Sequence, residues 1–218
     1  ALLREQLDTT IKGSRELAEL SGATPLGVIG FDPDAEEEPL AALNQQALRS
    51  EAFRTIRTNL SYTDVDNPPK VVAITSSVPI EGKSTAACNL AITMAQAGLR
   101  VCLVEADLRR PRIAQYLGID SAVGLTDVLA GKITLDQALL PWNRYLFTVL
   151  PSGAIPPNPS ELLASGQMKA TLATLRQQFD VVVVDTAPLL AVADGAITAS
   201  AADGAILMVR YGKTTTDQ

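Results

Sequence analysis

The stretch from Val71 to Gly98 constrains the fold of this chain more than any other. It opens with Val71, Val72, Ala73 and Ile74, an apolar run without polar alternation, as expected of a strand covered on both faces of a parallel sheet. It closes with Ala86, Ala87, Leu90, Ala91, Met94 and Ala95 at helical spacing, which predicts a helix over 84–97 stopped by Gly98. Between them, Ser77 to Ser84 follow the phosphate-loop pattern G-x-x-x-x-G-K-[ST], except that Ser77 stands in place of the first glycine.

The second half of the loop is intact and carries the chemistry. The first turn of a helix offers unpaired N–H groups at the positive end of its dipole, which suits a polyphosphate. Gly82 lets the backbone approach the phosphates, Lys83 reaches the β- and γ-phosphates, and Ser84 supplies a hydroxyl ligand for Mg²⁺. A bare turn containing a Gly-Lys-Ser match is the plain alternative, and the strand-loop-helix setting argues against it.

From Val71 onward strands and helices alternate. Strands are expected at 71–75, 101–105, 146–150, 181–185 and 205–210, with helices at 84–97, 159–178 and 192–201 and helical pieces over 112–140. That order predicts an α/β fold with a doubly wound, mostly parallel sheet, whose ligands sit at the carboxyl ends of the strands.

Two further strands run into carboxylates. Val181 to Val184 lead to Asp185, and Val101 to Val104 lead to Glu105 and Asp107. A carboxylate at the tip of a buried strand is costly unless it meets a metal, a proton or a donor, and a helix N-cap is the other reading of Asp185. Alternate residues share a face, so Glu105 and Asp107 are expected to point the same way and to complete a phosphoryl-transfer site with Lys83 and Asp185. Arg109 reads equally as a neutralising charge or as a surface ion pair.

With 218 residues, about half of them apolar, the chain suits one α/β domain behind an N-terminal extension. Residues 1–45 read as that extension. They comprise an amphipathic helix over Leu2 to Leu20, a short extended segment over Pro25 to Gly30, and an acidic linker from Phe31 to Pro39. The domain proper takes 46–218. No run of eighteen apolar residues and no leader peptide is visible, so the fragment itself is expected to be soluble. A net charge of −6 argues against a nucleic-acid surface, although Arg109, Arg110 and Arg112 cluster. Cys88 and Cys102 read as small buried apolar residues, and with no histidine a zinc site is not expected. On a helix over 46–60, Phe53, Ile56 and Leu60 form an apolar stripe, flanked by Glu51, Arg54 and Arg57 as a charged ribbon.

These segments resemble the bacterial tyrosine kinases, the catalytic domains of polysaccharide co-polymerase autokinases in capsule and exopolysaccharide export. Ser76 to Thr85 is similar to the family's Walker A motif, Glu105 to Arg109 to its Walker A′, Val183 to Pro188 to its Walker B, and Glu51 to Arg57 to its E-x-x-R-x-x-R helix. The segments Pro151 to Gly153 and Pro156 to Leu162 match as well. The resemblance implies a P-loop NTPase fold of the deviant Walker type and ATP- and Mg²⁺-dependent phosphorylation of protein tyrosines. It implies that Lys83, Glu105, Asp107 and Asp185 are catalytic. The nucleotide (ATP or ADP) would be held by Ser77, Pro79, Glu81, Gly82, Lys83, Ser84, Thr85 and Arg109, and the metal by Ser84, Asp185 and Glu105. It further implies self-association through Glu51, Arg54 and Arg57, a tyrosine-rich tail or protein as substrate in trans, and a place on the cytoplasmic face of the membrane, behind a preceding transmembrane helix.

Three features depart from the family pattern. Ile80 stands where glycine is frequent, Glu105 where aspartate is usual, and Tyr62, Tyr116, Tyr145 and Tyr211 are scattered rather than gathered in a tail cluster. The extra methylene of Glu105 moves its carboxylate by about 1.5 Å, a C–C bond length. Two other readings remain at this stage. One is a partitioning-type ATPase, which would need a lysine where Val78 stands; the other is a nucleotide-gated oligomerisation module without transfer.

Overall fold

The computed structural model describes residues 8–31, 40–44, 48–143 and 146–218. Strands β1 (Val71–Ser76), β2 (Val101–Glu105), β3 (Leu140–Trp142), β4 (Phe147–Leu150), β5 (Val181–Asp185) and β6 (Gly204–Met208) form one sheet in the order β3-β4-β2-β5-β1-β6. Neighbours are parallel except β3, which runs antiparallel to β4 at the edge.

The unbroken apolar runs have a direct cause: successive side chains feed two cores, one on each face of the sheet. Val72, Ile74, Leu103 and Val183 enter the first core, with Phe53, Ile56 and Leu60 of helix α2 (Leu48–Ser61) and Ala87 and Leu90 of α3 (Lys83–Gln96). Val71, Val104, Val182 and Val184 enter the second, with Met168, Leu172 and Leu175 of α8 (Gly166–Gln178). The remaining helices are α1 (Ser14–Ser21), α4 (Ile113–Leu117), α5 (Leu125–Leu129), α6 (Leu135–Ala138), α7 (Pro159–Leu163) and α9 (Asp194–Ser200). The carboxyl ends of β1, β2 and β5 therefore lie side by side, and Glu105 and Asp185 are register partners there.

Three expectations change. Among the described residues the N-terminal helix starts at Ser14. Residues 1–7 lie outside the described residues, and Asp8 to Gly13 leave the helical path because Thr10 bridges Thr215 and Ile11 is buried beside the C-terminal segment. The acidic linker lies outside the described residues over 32–39. The helix expected over 159–178 divides into α7 and α8, since Ser165 caps α8 by accepting the Met168 N–H at 3.2 Å. The strand expected over 205–210 runs instead as β6, Gly204–Met208. In addition, β3 is a three-residue edge strand containing Pro141, too short to show a period of two.

Candidate functional site

The phosphate loop leaves β1 at Ser76 and enters α3 at Lys83. Gly82, the residue before the helix, has φ 85°, a left-handed conformation natural to glycine. The loop is anchored to the segment after β5: Leu189 N–H donates to Ser76 O at 2.8 Å and Leu190 N–H to Ser77 O at 3.1 Å. Ser77 and Ser84 are buried, Thr85 is half-buried, and Pro79 and Ile80 are exposed.

Lys83 is the centre of the site. Its Nζ lies 2.6 Å from Asp107 Oδ2, 3.5 Å from Ser84 Oγ and 3.9 Å from Asp185 Oδ1. Burial works against the ammonium charge, but Asp185 and Asp107 outweigh it and raise the lysine above its ordinary value. Asp107 is held from the other side, accepting the Arg110 N–H at 3.0 Å.

Asp185 is fully buried and neither of its carboxylate oxygens has a hydrogen-bond partner. Burial pushes it from its ordinary 3.8 up to about 7, with Lys83 working in the opposite direction. A buried, unpartnered carboxylate beside a serine hydroxyl fits a hard, oxygen-seeking divalent cation. No group of three or more His, Cys, Asp or Glu able to hold a metal by itself occurs among the described residues, so phosphate and water oxygens would complete the shell. The fold binds more protons at Asp185 than the unfolded chain does between the two values. Stability in the absence of ligand is therefore full below pH 3.8 as regards this group, and is lost as pH rises to about 7. Asp185→Asn is expected to remove that slope and to be more stable than the parent at pH 8 by about 2 kcal/mol, read by urea denaturation across pH. A parent whose stability is flat from pH 4 to 7 would overturn the assignment.

Glu105 and Asp107 take different partners. Asp107 lies past the end of β2 and reaches Lys83, whereas Glu105 accepts the backbone N–H groups of Arg112, Ile113 (2.6 Å) and Ser152 (3.3 Å). The extra methylene over aspartate spans the distance to the start of α4. Burial raises the Glu105 pKa, and these backbone bonds oppose it. Gly124 brings the residue 151–153 loop in closely: a Cβ there would meet Pro151 O at 2.2 Å and Gly153 N at 2.4 Å.

Arg109 is drawn aside to Asp194, a buried carboxylate at the start of α9, with Nε at 2.7 Å from Oδ2; Nη2 also donates to Ser160 Oγ at 3.2 Å. Of its two readings, the ion pair is the one present. Sequence reasoning missed Asp194, whose only signal was an acid in the first turn of an expected helix. The ribbon on α2 divides as well: Arg54 pairs with Glu51, while Arg57 Nη1 donates to Thr93 O of α3 at 3.2 Å.

Residues 69–216 match a family model described as an AAA domain. Over 179 residues, 82% of this chain, the sequence is 45% identical to tyrosine-protein kinase YwqD of Bacillus subtilis (strain 168), covering 76% of that protein. The chain belongs to the bacterial tyrosine kinases. Its structure is similar to the kinase domain of Escherichia coli tyrosine kinase ETK, with a TM-score of 0.88 and 29% identity, over 94% of this chain and 85% of that one. Longer relatives extend well past it: the chain spans 25% of tyrosine-protein kinase wzc of Salmonella typhimurium, at 34% identity. A more distant likeness is to cobyrinic acid a,c-diamide synthase from Mycobacterium smegmatis, solved with bound ADP and magnesium, with a TM-score of 0.56, 26% identity, and 64% and 59% coverage. The partitioning-type ATPase reading gives way to the kinase family. No described helix is long and apolar enough to cross a membrane.

Proposed function

We propose that this domain transfers the γ-phosphoryl group of ATP to protein tyrosines and, as an autokinase, regulates capsular or exopolysaccharide polymerisation and export. The observation that carries the catalytic reading is the buried cluster of Lys83, Asp107 and Asp185 at the mouth of the phosphate loop, with no hydrogen bond to either Asp185 oxygen. Ser84 and Asp185 would hold Mg²⁺, which when bound neutralises charge on the β- and γ-phosphates.

Lys83 and Asp107 form a 2.6 Å pair. Phosphate oxygens compete for Lys83, and its departure leaves Asp107 free to accept the phenol proton. The tyrosine oxygen then attacks the γ-phosphorus, the bond to the β–γ bridging oxygen breaks, and ADP departs with that electron pair. Glu105 supports this geometry through the backbone. The proposed nucleotide contacts are Gly82, Lys83, Ser84 and Thr85, with Ser77 and Pro79 shaping the loop.

The acceptor tyrosines of this reading lie in a tyrosine-rich tail or on another protein in trans, and the domain works at the cytoplasmic face of the membrane; membership of the kinase family supports both. Self-association would use Glu51, Arg54 and Arg57; dissociation of the oligomer by Arg54→Glu in sedimentation velocity tests it. The kinase reading is tested by incubating the domain, extended by its natural C-terminal tail, with Mg-ATP and reading phosphotyrosine by mass spectrometry. Phosphotyrosine is expected in the parent and absent in Asp185→Asn. Nucleotide binding without any phosphotyrosine in the parent would overturn it.

A further inference from the structure

Glu81 lies in the phosphate loop, where a negative charge opposes the binding of an anion. Its carboxylate is nonetheless buried, 8% exposed, and fully engaged. Oε2 accepts the Val78 N–H at 3.1 Å within the loop, and Oε1 accepts the Arg210 N–H at 3.3 Å and the Thr214 hydroxyl. The carboxylate thus joins the loop to a turn more than a hundred residues away.

That turn is itself fixed. Thr214 N–H donates to Arg210 O at 3.0 Å, and Thr214 Oγ1 accepts the Arg210 N–H at 2.9 Å. Ile11 N–H donates to Thr214 O and Gly212 N–H to Ile11 O, both at 2.9 Å, so a buried residue of the N-terminal segment backs the turn. Next to Glu81, Ile80 has φ 68° and is 83% exposed. A β-branched residue persists in that left-handed conformation only where its surroundings over-determine it. Glu81 on one side and Arg210 Nη1, 3.4 Å from Ile80 O, supply the constraint.

We propose that Glu81 is a positioning residue for nucleotide: it locks the phosphate loop onto the 210–214 turn and holds Ile80 in the conformation that shapes the phosphate cradle. The inference rests on the loop binding nucleotide, and not on tyrosine being the acceptor. Two accounts of Glu81 differ in sign. As a mere unfavourable charge, its removal tightens anion binding; as a lock, its removal weakens it.

The test is Mg-dependent binding of a fluorescent ADP analogue together with steady-state kinetics on a tyrosine-containing peptide. Glu81→Ala and Thr214→Val are each expected to weaken ADP binding about fivefold or more, and to raise KM for ATP while kcat stays within about twofold. Thr214→Ser, which keeps the hydroxyl, is expected to restore the parent affinity. The Thr214→Val loss is expected to shrink to less than about twofold in an Ile80→Gly background, because glycine takes a left-handed φ without help. Tighter or unchanged binding in both variants, or an undiminished loss beside Ile80→Gly, would overturn the proposal. Should Glu81→Ala fail to fold, the Thr214→Val and Thr214→Ser pair decides alone. The binding readout separates failure of this proposal from failure of the kinase reading, since it needs no phosphotyrosine.

Discussion

Lys83→Met is expected to lower phosphotyrosine formation by about 10³-fold or more, with fold and oligomeric state retained at neutral pH. Nζ stands 2.6 and 3.9 Å from the two aspartates. A single ammonium holds two buried carboxylates, and in the proposed reaction it moves from Asp107 to the phosphates. Methionine fills the volume of the stem but supplies no donor. Without the lysine, burial at Asp185 loses the charge that opposes it, so that carboxylate retains a proton to a higher pH. The variant therefore loses stability as pH rises, in the same direction as the parent but more steeply, which thermal melts from pH 6 to 9 would reveal. Lys83→Arg is not expected to rescue transfer, because a planar fork does not replace a compact charge at this position. Transfer within about tenfold of the parent in Lys83→Met would remove lysine from the mechanism.

The sheet and its ligand end were legible in the sequence because the signals were local. Val71 to Ile74, Val101 to Val104 and Val181 to Val184 are apolar throughout because each strand is covered on both faces, and strand tips with carboxylates mark the crevice. Lys83, Ser84, Asp107 and Asp185 come together as their motifs imply.

What was not legible depends on partners remote in sequence. Nothing near Asp194 says that it pairs with Arg109, since those residues are 85 positions apart. Nothing near Glu81 announces Thr214, 133 positions away. The separate partners of Glu105 and Asp107 were not legible either, because strand geometry ends at Glu105 and the next two residues already belong to a loop. Boundaries shifted where capping decided them, as at Ser165, and Ile80 read as a weak Walker position until its φ revealed a conformation sustained by neighbours.

The Glu105 position yields the largest expected effect on stability. Glu105 is fully buried, and three backbone N–H groups, of Arg112, Ile113 and Ser152, converge on its carboxylate. Glu105→Ala strips all three of their acceptor and leaves a cavity, and is expected to cost about 3–4 kcal/mol in urea denaturation at pH 7.5. Glu105→Asp keeps the charge but draws it back by about one bond length, and is expected to cost about 1–2 kcal/mol. The residues between Glu105 and Arg112 carry Asp107, so slackening their anchor displaces that carboxylate from Lys83. Glu105→Asp should therefore lower kcat roughly tenfold while leaving KM for ATP within about twofold. A direct metal role makes the opposite forecast: aspartate, still a carboxylate, would support transfer without loss of stability, and Glu105→Gln would abolish transfer at little structural cost. Denaturation and kinetics on the same three variants distinguish a residue that holds the Walker A′ loop from one that holds the metal.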